Sequence, residues 1–288
     1  MHSDAPRIQR RLRHRRLVNA CMLCGAGACA LLTVVPLVSV LYYVWSKGHS
    51  GINAAFFTHL PKPVGEPGGG MANAIVGSLL MVGAAALMGL PFGLLGGIYL
   101  SEYGHSKLAA TVRFAADVLN GVPSIVAGVF VYALVVVPMG GFSGLAGALA
   151  LSVIIVPLVM RTTEEMLRLV PRSQRDAALA VGATEGRTVL GAVVPAARAG
   201  LVTGALLAVA RIAGETAPLL FTSLGNRFWN IHPAHPTPAL PLQIFAYATS
   251  PYDDWHVQAW AGALVLVTIT LGFNIAARIA TRGRFHLT

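Results

Sequence analysis

The stretch "PRSQRDAALAVGATEGRTVLGAVVPAARAG", residues 171–200, mixes charged and small apolar residues in a pattern typical of two short helices. Ser173 suits a helix start, and Asp176, three residues later, completes a weak capping box. The first helix is predicted to run from Asp176 to the residue before Gly182, because glycine commonly follows the last residue of a helix. A second helical piece is predicted to run to Pro195. The stretch therefore predicts a helix–glycine–helix element with a small-residue face and a charged face.

The composition around this element is that of a membrane protein. The 288 residues are 55% hydrophobic and 11% charged, with a mean hydropathy of +0.67, whereas soluble domains carry roughly 25% charged residues. Runs that approach the ~20 apolar residues needed to cross a bilayer occur at about 17–45, 74–100, 119–137, 145–160, 200–221 and 259–279. We therefore predict an all-α polytopic membrane protein with a basic tail at 1–16 and a single transmembrane domain over 17–288.

The net charge of +10 is distributed unevenly along this topology. With six spans, 17 of the 21 lysines and arginines fall on one side, in the two termini and in the segments after spans 2 and 4. Under the positive-inside rule both termini are then cytoplasmic, and the placement argues against nucleic acid as the partner. The first apolar run has 29 residues, far more than the ~7–15 of a signal-peptide core, so we predict an uncleaved first span.

The fifth span contains two charged residues, in "AVARIAGETAPLLF" at 208–221. Arg211 and Glu215 are four residues apart, so a continuous helix would place them on one face. A charge at the bilayer centre costs at least about 2.5–3.5 kcal/mol. Gly214 and Pro218 predict a helix break here, and irregular backbone at this depth is tolerated where it lines a cavity or is buried in protein. We expect Arg211 and Glu215 to line a substrate pathway; the alternative is an ion pair that only holds the helices together.

Two hydroxyl residues are further pathway candidates. Ser124 follows Pro123 in "NGVPSIVAG", residues 120–128, and proline is favoured in the first turn of a helix. Helix N-termini attract anions, although an ordinary helix start explains the same residues. Thr216, next to Glu215, is the other candidate.

Three glycines of span 2 recur every fourth residue: Gly89, Gly93 and Gly97. This spacing puts small residues on one helix face and predicts close packing against another helix.

Several patterns that could indicate chemistry do not meet their requirements. We expect the three cysteines of span 1, Cys21, Cys24 and Cys29, to be small packing residues rather than a metal or redox site. The segment "GATEGRT" at 182–188 lacks the glycine spacing and the lysine of a phosphate-binding loop, so we predict that this chain binds no ATP. Glu215 is the only acid well inside a predicted span. The sequence predicts no catalytic residue, no metal site and no cofactor.

The element at 171–200 resembles the EAA loop of ABC importer permeases. The matching positions are Asp176, Ala177, Ala178, Gly182 and Pro195. The sequence departs from the pattern in having an aspartate for the glutamate, Ala192 for the usual isoleucine and Val194 for the usual leucine. The resemblance implies that the coupling loop, at 173–195, docks on an ATPase subunit and transmits its motion.

Further stretches narrow the resemblance to the PstA type of phosphate importer permease. They are "GGGMANAIVGSLL" at 68–80, "GLPFGLLGGIYLSEYG" at 89–104, "NGVPSIVAGVF" at 120–130, "RIAGETAPLLFT" at 211–222 and "LPLQIFAYATSP" at 240–251. The resemblance implies the type I ABC importer permease fold and a multi-pass location in the bacterial inner membrane. It also implies a permease subunit that forms half of the translocation pathway of an ATP-driven inorganic phosphate importer.

The same resemblance implies the partners. They are a homologous, PstC-like second permease, a PstB-like ATPase dimer that holds ATP with magnesium, and an external, PstS-like phosphate-binding protein. The outer loops at 46–73 and 222–258 would meet the binding protein. The chain itself would be a permease without an ATPase site, and therefore not an enzyme.

Three other interpretations are distinguishable. A permease for another oxyanion, such as phosphonate, sulfate or molybdate, would share the loop but not the pair "RIAGETAPL" and "GVPSIV". An ATP-independent anion transporter or channel would not need a docking element for an ATPase. An intramembrane enzyme would need a second catalytic group near Glu215, and only Arg211 is available at that depth.

Overall fold

A computed structural model describes residues 5–66 and 68–282, with side chains over 11–66 and 68–279. Four of the arginines that contribute to the predicted charge asymmetry have side chains outside that description: Arg7, Arg10, Arg282 and Arg284. The described residues form helices and loops, without strands. The helices are α1 (Ala5–Gly48), α2 (Ala54–Thr58), α3 (Ala72–Glu102), α4 (Lys107–Gly121), α5 (Ser124–Val131), α6 (Val137–Met139), α7 (Gly144–Arg168), α8 (Arg172–Ala180), α9 (Glu185–Thr188), α10 (Val194–Ala213), α11 (Ala217–Thr222), α12 (Leu240–Ala248) and α13 (Asp253–Arg282).

Membrane-spanning helices account for most of these elements. Five helices in the described chain are long and apolar enough to cross a bilayer: Arg11–Gly51, Ala72–Glu102, Gly144–Arg168, Glu185–Ala213 and Asp253–Ile279. A sixth candidate is a bent pair, Lys107–Gly121 with Ser124–Met139, whose two halves meet at 105°. The count of six predicted spans is therefore reached when the bent pair is taken as one span.

The third span is not the straight helix over 119–137 that the apolar run predicted. The chain turns between α4 and α5, where Val122 (φ −72°, ψ 133°) and Pro123 (φ −57°, ψ 136°) leave the helical conformation. A residue before proline is pushed out of the α region by the proline ring, and proline has no N–H to continue the ladder. Pro123 therefore ends one helix and precedes the next.

The fourth span is longer than predicted, because α7 continues past Met160 to Arg168. Its last two turns are charged, but the Glu164 side chain is 0% exposed and its neighbours on the same face are arginines. A second acid, Glu164, therefore lies in the last two turns of this helix, near its predicted cytoplasmic end. Hydropathy alone ended the span too early, because it treats a buried, neutralised charge as if it were in solvent.

The predicted helix–glycine–helix element differs in its boundaries. The first helix begins at Arg172 after Pro171, and Ser173 lies inside its first turn without the predicted capping bond. Gly182 follows with φ +87°, a left-handed conformation that glycine adopts at no steric cost.

The second helical piece does not end at Pro195. It continues through a widened π-type turn, Val189–Val193, into α10. In this turn the N–H of Val194 donates to the carbonyl oxygen of Val189, and Pro195, which has no N–H to donate, follows in the first turn of α10.

The core of the molecule is the contact between α3 and α7. Gly89, Gly93 and Gly97 are all buried on the face of α3 that meets α7. A Cβ atom on Gly93 would lie only 2.7 Å from Cβ of Val159, so glycine is needed for this separation. Buried apolar side chains from α7 and α10, including Ile155 and Ile212, extend the same core.

Helix α1 lies largely outside this core. Every described residue from 11 to 40 is exposed, and α1 packs against α13 only near its end, where Val44 and Gly48 are buried. The three cysteines of α1 are free and exposed. No described part of the chain covers that stretch of the helix, so their role as small packing residues stays a prediction.

Candidate translocation site

A cavity of about 370 Å³ lies where α4, α5, α7 and the end of α10 meet. Two interruptions of the helices lie at its edge: the turn between α4 and α5, and the turn between α10 and α11. The lining residues are Leu119, Asn120, Val122, Pro123, Ser124, Val126, Ala127, Phe130, Val153, Ile154, Arg211 and Glu215. Most of these side chains are apolar, so the few polar groups determine what the cavity can bind.

Arg211 supplies the positive charge of the cavity. It lies in the last turn of α10, which ends at Ala213. Glu215 follows in the turn beyond the helix, so the prediction that Arg211 and Glu215 share one helix face is wrong. Among the described residues Arg211 has neither an ion pair nor a side-chain hydrogen bond. The ion pair of the alternative interpretation is therefore not formed in this structure, although both side chains line the same cavity.

The interruption beside Arg211 has a steric and a hydrogen-bonding cause. Pro218 lies in the first turn of α11, where its missing N–H leaves the helix ladder of α10 without a continuation. Gly214 N–H instead donates to the carbonyl oxygen of Arg211, at 3.2 Å. Gly128 of α5 packs directly on Pro218, and a Cβ there would lie 2.6 Å from Cα of Pro218. The break is thus held by a close backbone crossing of α5 and α11.

The two predicted hydroxyl residues are placed differently. Ser124 is the first residue of α5 and lines the cavity together with Arg211 and Glu215. Thr216 precedes α11 without capping it and is not among the lining residues.

Asn120 is a lining residue that the sequence reasoning missed. Its side-chain amide donates to the carbonyl oxygen of Pro157 on α7, at 3.3 Å. The signal available in the sequence was a polar amide one turn before Pro123, in an otherwise apolar run.

A group of ion pairs around one buried carboxylate lies beyond the cavity, toward the predicted cytoplasmic side, and was also missed. One carboxylate, that of Glu164, accepts from three guanidinium groups: Arg113 at 2.7 Å, Arg161 at 2.6 Å and Arg168 at 2.6 Å. Arg161 also pairs with Asp117 on α4, at 2.8 Å. The spacing of Arg161, Glu164 and Arg168 matches one helix face and was the available signal that α7 continues.

The residues predicted to couple to an ATPase lie on the surface of this chain. Asp176 and Ala177 on α8 are exposed, as are Gly182 and Pro195, while Ala178 is half-buried. Within the described chain the side chain of Asp176 has no hydrogen bond or ion pair. Helix α8 buries none of its residues, so its outer face is available to another protein.

Comparisons with known proteins agree with this architecture. Residues 89–285 match the family described as "Binding-protein-dependent transport system inner membrane component". The chain is 44% identical to the phosphate transport system permease protein PstA of Yersinia pestis, over 99% of this chain and 98% of that protein. It is 45% identical to the PstA protein of Xylella fastidiosa strain 9a5c, over 92% of this chain and 93% of that protein. A probable PstA protein of Methanocaldococcus jannaschii is 35% identical over 95% and 97% of the two chains.

The fold is also that of a solved ABC importer. A structure of the inward-facing MetNI methionine ABC transporter is similar with a TM-score of 0.59 and 21% sequence identity, over 73% of this chain and 94% of that chain. At this identity the similarity shows the fold alone.

Proposed function

Because the chain belongs to the binding-protein-dependent transport permeases, and within them to the PstA phosphate permeases, we propose that it is the permease subunit of an ATP-driven importer of inorganic phosphate. It is a multi-pass protein of the inner membrane and forms part of the translocation pathway. The observation that carries the proposal is the unpaired guanidinium of Arg211 in a largely apolar cavity between two broken helices.

Arg211 suits this role for electrostatic reasons. A charged side chain at membrane depth is costly unless an opposite charge neutralises it, and none of the described residues does so for Arg211. A phosphate ion in the cavity would supply that charge, and the planar guanidinium group can donate two hydrogen bonds to its oxygens. Arg211 thus favours occupation of the cavity by an oxyanion.

Glu215 has the opposite effect on the binding of an anion in the cavity. Conduction needs binding strong enough to admit the ion and weak enough to release it, and a carboxylate in the same cavity weakens the hold on an anion. A carboxylate also accepts a hydrogen bond from protonated phosphate, which sulfate cannot donate at neutral pH. Ser124 adds a neutral hydroxyl that both donates and accepts. Together these groups favour a protonated oxyanion.

The energy for transport would come from partners. In the proposed complex the chain pairs with a homologous second permease, and α8 with Gly182 docks on a dimer of ATPase subunits. ATP with magnesium would be held by those subunits, and this chain would have no ATPase site of its own. The loops at 46–73 and 222–258 would receive an external phosphate-binding protein.

Uptake of radiolabelled phosphate tests the proposal in a strain that lacks this chain and is complemented with wild type or Arg211→Ala. We expect wild type to restore uptake and Arg211→Ala to abolish it, with unchanged membrane level and unchanged assembly with the partners. The matched control is Arg198→Ala, which removes an exposed arginine from the same helix outside the cavity. Normal uptake by Arg211→Ala would rule out the pathway role, and failure of that variant to assemble would assign Arg211 a structural role.

Competition assays identify the ion. Unlabelled phosphate should suppress uptake, whereas sulfate, molybdate and phosphonate should not. Suppression by one of those three ions would favour a permease for that oxyanion. Uptake that persists after loss of the ATPase would favour an ATP-independent transporter.

A further inference from the structure

Helix α4 attaches to the molecule by its polar side. Its residues Arg113, Asp117 and Asn120 face α7, whereas Phe114 and Val118 on the opposite side are 70% and 48% exposed. Ala109 and Ala116 are its only buried residues. Between helices in a membrane, apolar burial gives no hydrophobic driving force, so association depends on close packing and on interhelical polar contacts. With only two small residues buried, α4 is held chiefly by its polar contacts.

Those polar contacts form three successive steps between α4 and α7. Asn120 donates to the carbonyl oxygen of Pro157, Asp117 pairs with Arg161, and Arg113 pairs with Glu164. The contacts extend from Arg113 to Asn120, seven residues apart on α4, or about 10 Å at 1.5 Å per residue. They lead from the ion pairs of the buried Glu164 carboxylate to Asn120 in the lining of the cavity.

Glu164 pairs with three arginines at the end of this series that is farthest from the cavity. Its side chain is 0% exposed, and one of its oxygens is 2.7 Å from Arg113 and 2.6 Å from Arg168. Its other oxygen is 2.6 Å from Nη1 of Arg161. Removal of one partner of a buried ion pair leaves uncompensated charge, and here it would leave three guanidinium groups close together. Glu164 therefore makes one of the three contacts between α4 and α7 directly, through Arg113, and it also binds Arg161, the partner of Asp117 in a second contact.

The same region is tied to the element predicted to meet the ATPase. Arg175 on α8 donates to Oε1 of Glu102 at the end of α3, at 2.7 Å, and to the carbonyl oxygen of Leu167, at 3.3 Å. Leu167 lies in the same turn of α7 as Glu164 and Arg168. A displacement of α8 is thus passed by hydrogen bonds to the end of α7 that Glu164 connects to α4.

We infer that Glu164 is a positioning residue for transport, which links α8 to the cavity by holding α4 on α7. The inference rests on the proposed function and adds a specific route through the chain. A coupling of this kind is a free energy between two sites and appears as a change in one when the other is altered. The quantity to measure is therefore the number of ATP molecules hydrolysed per phosphate transported.

The test uses the whole complex, with binding protein, in proteoliposomes loaded with ATP. Glu164→Gln should lower phosphate uptake about tenfold while ATP hydrolysis continues, so that the ratio of ATP to phosphate rises by about the same factor, a typical size for coupling between sites. Glu164→Asp keeps the carboxylate and should bring the ratio of ATP to phosphate part of the way back to that of wild type. Glu165→Gln is the matched control, because it makes the same change at an exposed neighbour.

The outcomes separate the inference from the proposed function. An unchanged ratio in an assembled Glu164→Gln complex overturns the inference alone, whereas no phosphate uptake by the wild-type complex overturns the proposed function. If Glu164→Gln does not assemble, the same ratio is measured for Asp117→Asn. That substitution removes the negative charge of a half-exposed residue that pairs with Arg161 in the same series of contacts. A ratio for Asp117→Asn equal to that of wild type would then assign the ion pairs a structural role only.

Discussion

Gly128 and Pro218 bring α5 and α11 into backbone contact at the edge of the cavity. A Cβ atom on Gly128 would lie 2.6 Å from Cα of Pro218 and 3.0 Å from its carbonyl oxygen. Real Cβ atoms do not approach backbone atoms this closely, so one of the two helices would have to move. The width of the cavity between them is therefore set by the absence of one methyl group.

Replacement of Gly128 by alanine should impair transport, because the added methyl group pushes α11 away from α5 and shifts Glu215. Overpacking of this kind typically costs about 1–3 kcal/mol. We expect lower phosphate uptake at an unchanged membrane level, measured in the complemented strain. Gly121→Ala adds the same methyl group where nothing lies within 4 Å and should retain uptake. Equal uptake by the two variants would contradict the steric argument.

Substitution of Gly93 should affect stability. Its Cβ would lie 2.7 Å from Cβ of Val159 and 3.0 Å from the carbonyl oxygen of Val156, so Gly93→Ala forces α3 and α7 apart at about 1–3 kcal/mol. We expect a lower midpoint of thermal unfolding for the purified permease complex. Gly83→Ala lies in the same helix in open space and should be neutral or stabilising. A midpoint for Gly93→Ala at or above that of Gly83→Ala would show that the packing is not needed.

Gly182→Ala should weaken the docking of the ATPase. Gly182 has φ +87°, and a side chain in a left-handed conformation costs about 1–2 kcal/mol. The strain would change the turn between α8 and α9 without removing any contact, since nothing lies within 4 Å of that position. Co-purification of the ATPase with the permeases should fall. Gly186→Ala, also in open space but within α9, is the control; if both variants recover equal amounts of ATPase, the strain has no effect on docking.

Glu215→Gln should hold phosphate more tightly and release it more slowly. The substitution removes the negative charge that shares the cavity with Arg211, so the attraction between Arg211 and the anion is no longer opposed. We expect a lower maximal uptake rate together with more phosphate retained by the detergent-purified complex at equilibrium. Unchanged retention would mean that Glu215 does not act on the bound ion. Arg211→Ala supplies the opposite comparison and should lower retention.

The spans could be predicted because apolar runs directly report what the bilayer requires. The helix break at Gly214 and Pro218 and the one at Pro123 had local causes visible in the sequence, since proline removes a hydrogen-bond donor. The angle of 105° at Pro123 had no such signal. It depends on contacts of α4 with α7, which are distant in sequence.

The ion pairs at Glu164 were beyond sequence reasoning for a related reason. A hydropathy window counts Arg161, Glu164 and Arg168 each as a cost, although in the folded chain both arginines pair with Glu164. Arg113 is 51 residues away from Glu164, so their pairing cannot be read from local spacing. The prediction for Arg211 and Glu215 was wrong for the opposite reason. Their spacing predicted a shared helix face, but α10 ends at Ala213, before Glu215.

The two helix interruptions at the cavity also determine which parts of the lining can vary between related proteins. Helix ends leave N–H and C=O groups without partners inside the helix, so the turns at 121–123 and 214–216 present main-chain dipoles as well as side chains. Substitution cannot delete a main-chain dipole. A change of preferred anion by mutation must therefore act through a small number of side chains, above all Asn120, Ser124, Arg211 and Glu215, while the peptide groups around them stay the same.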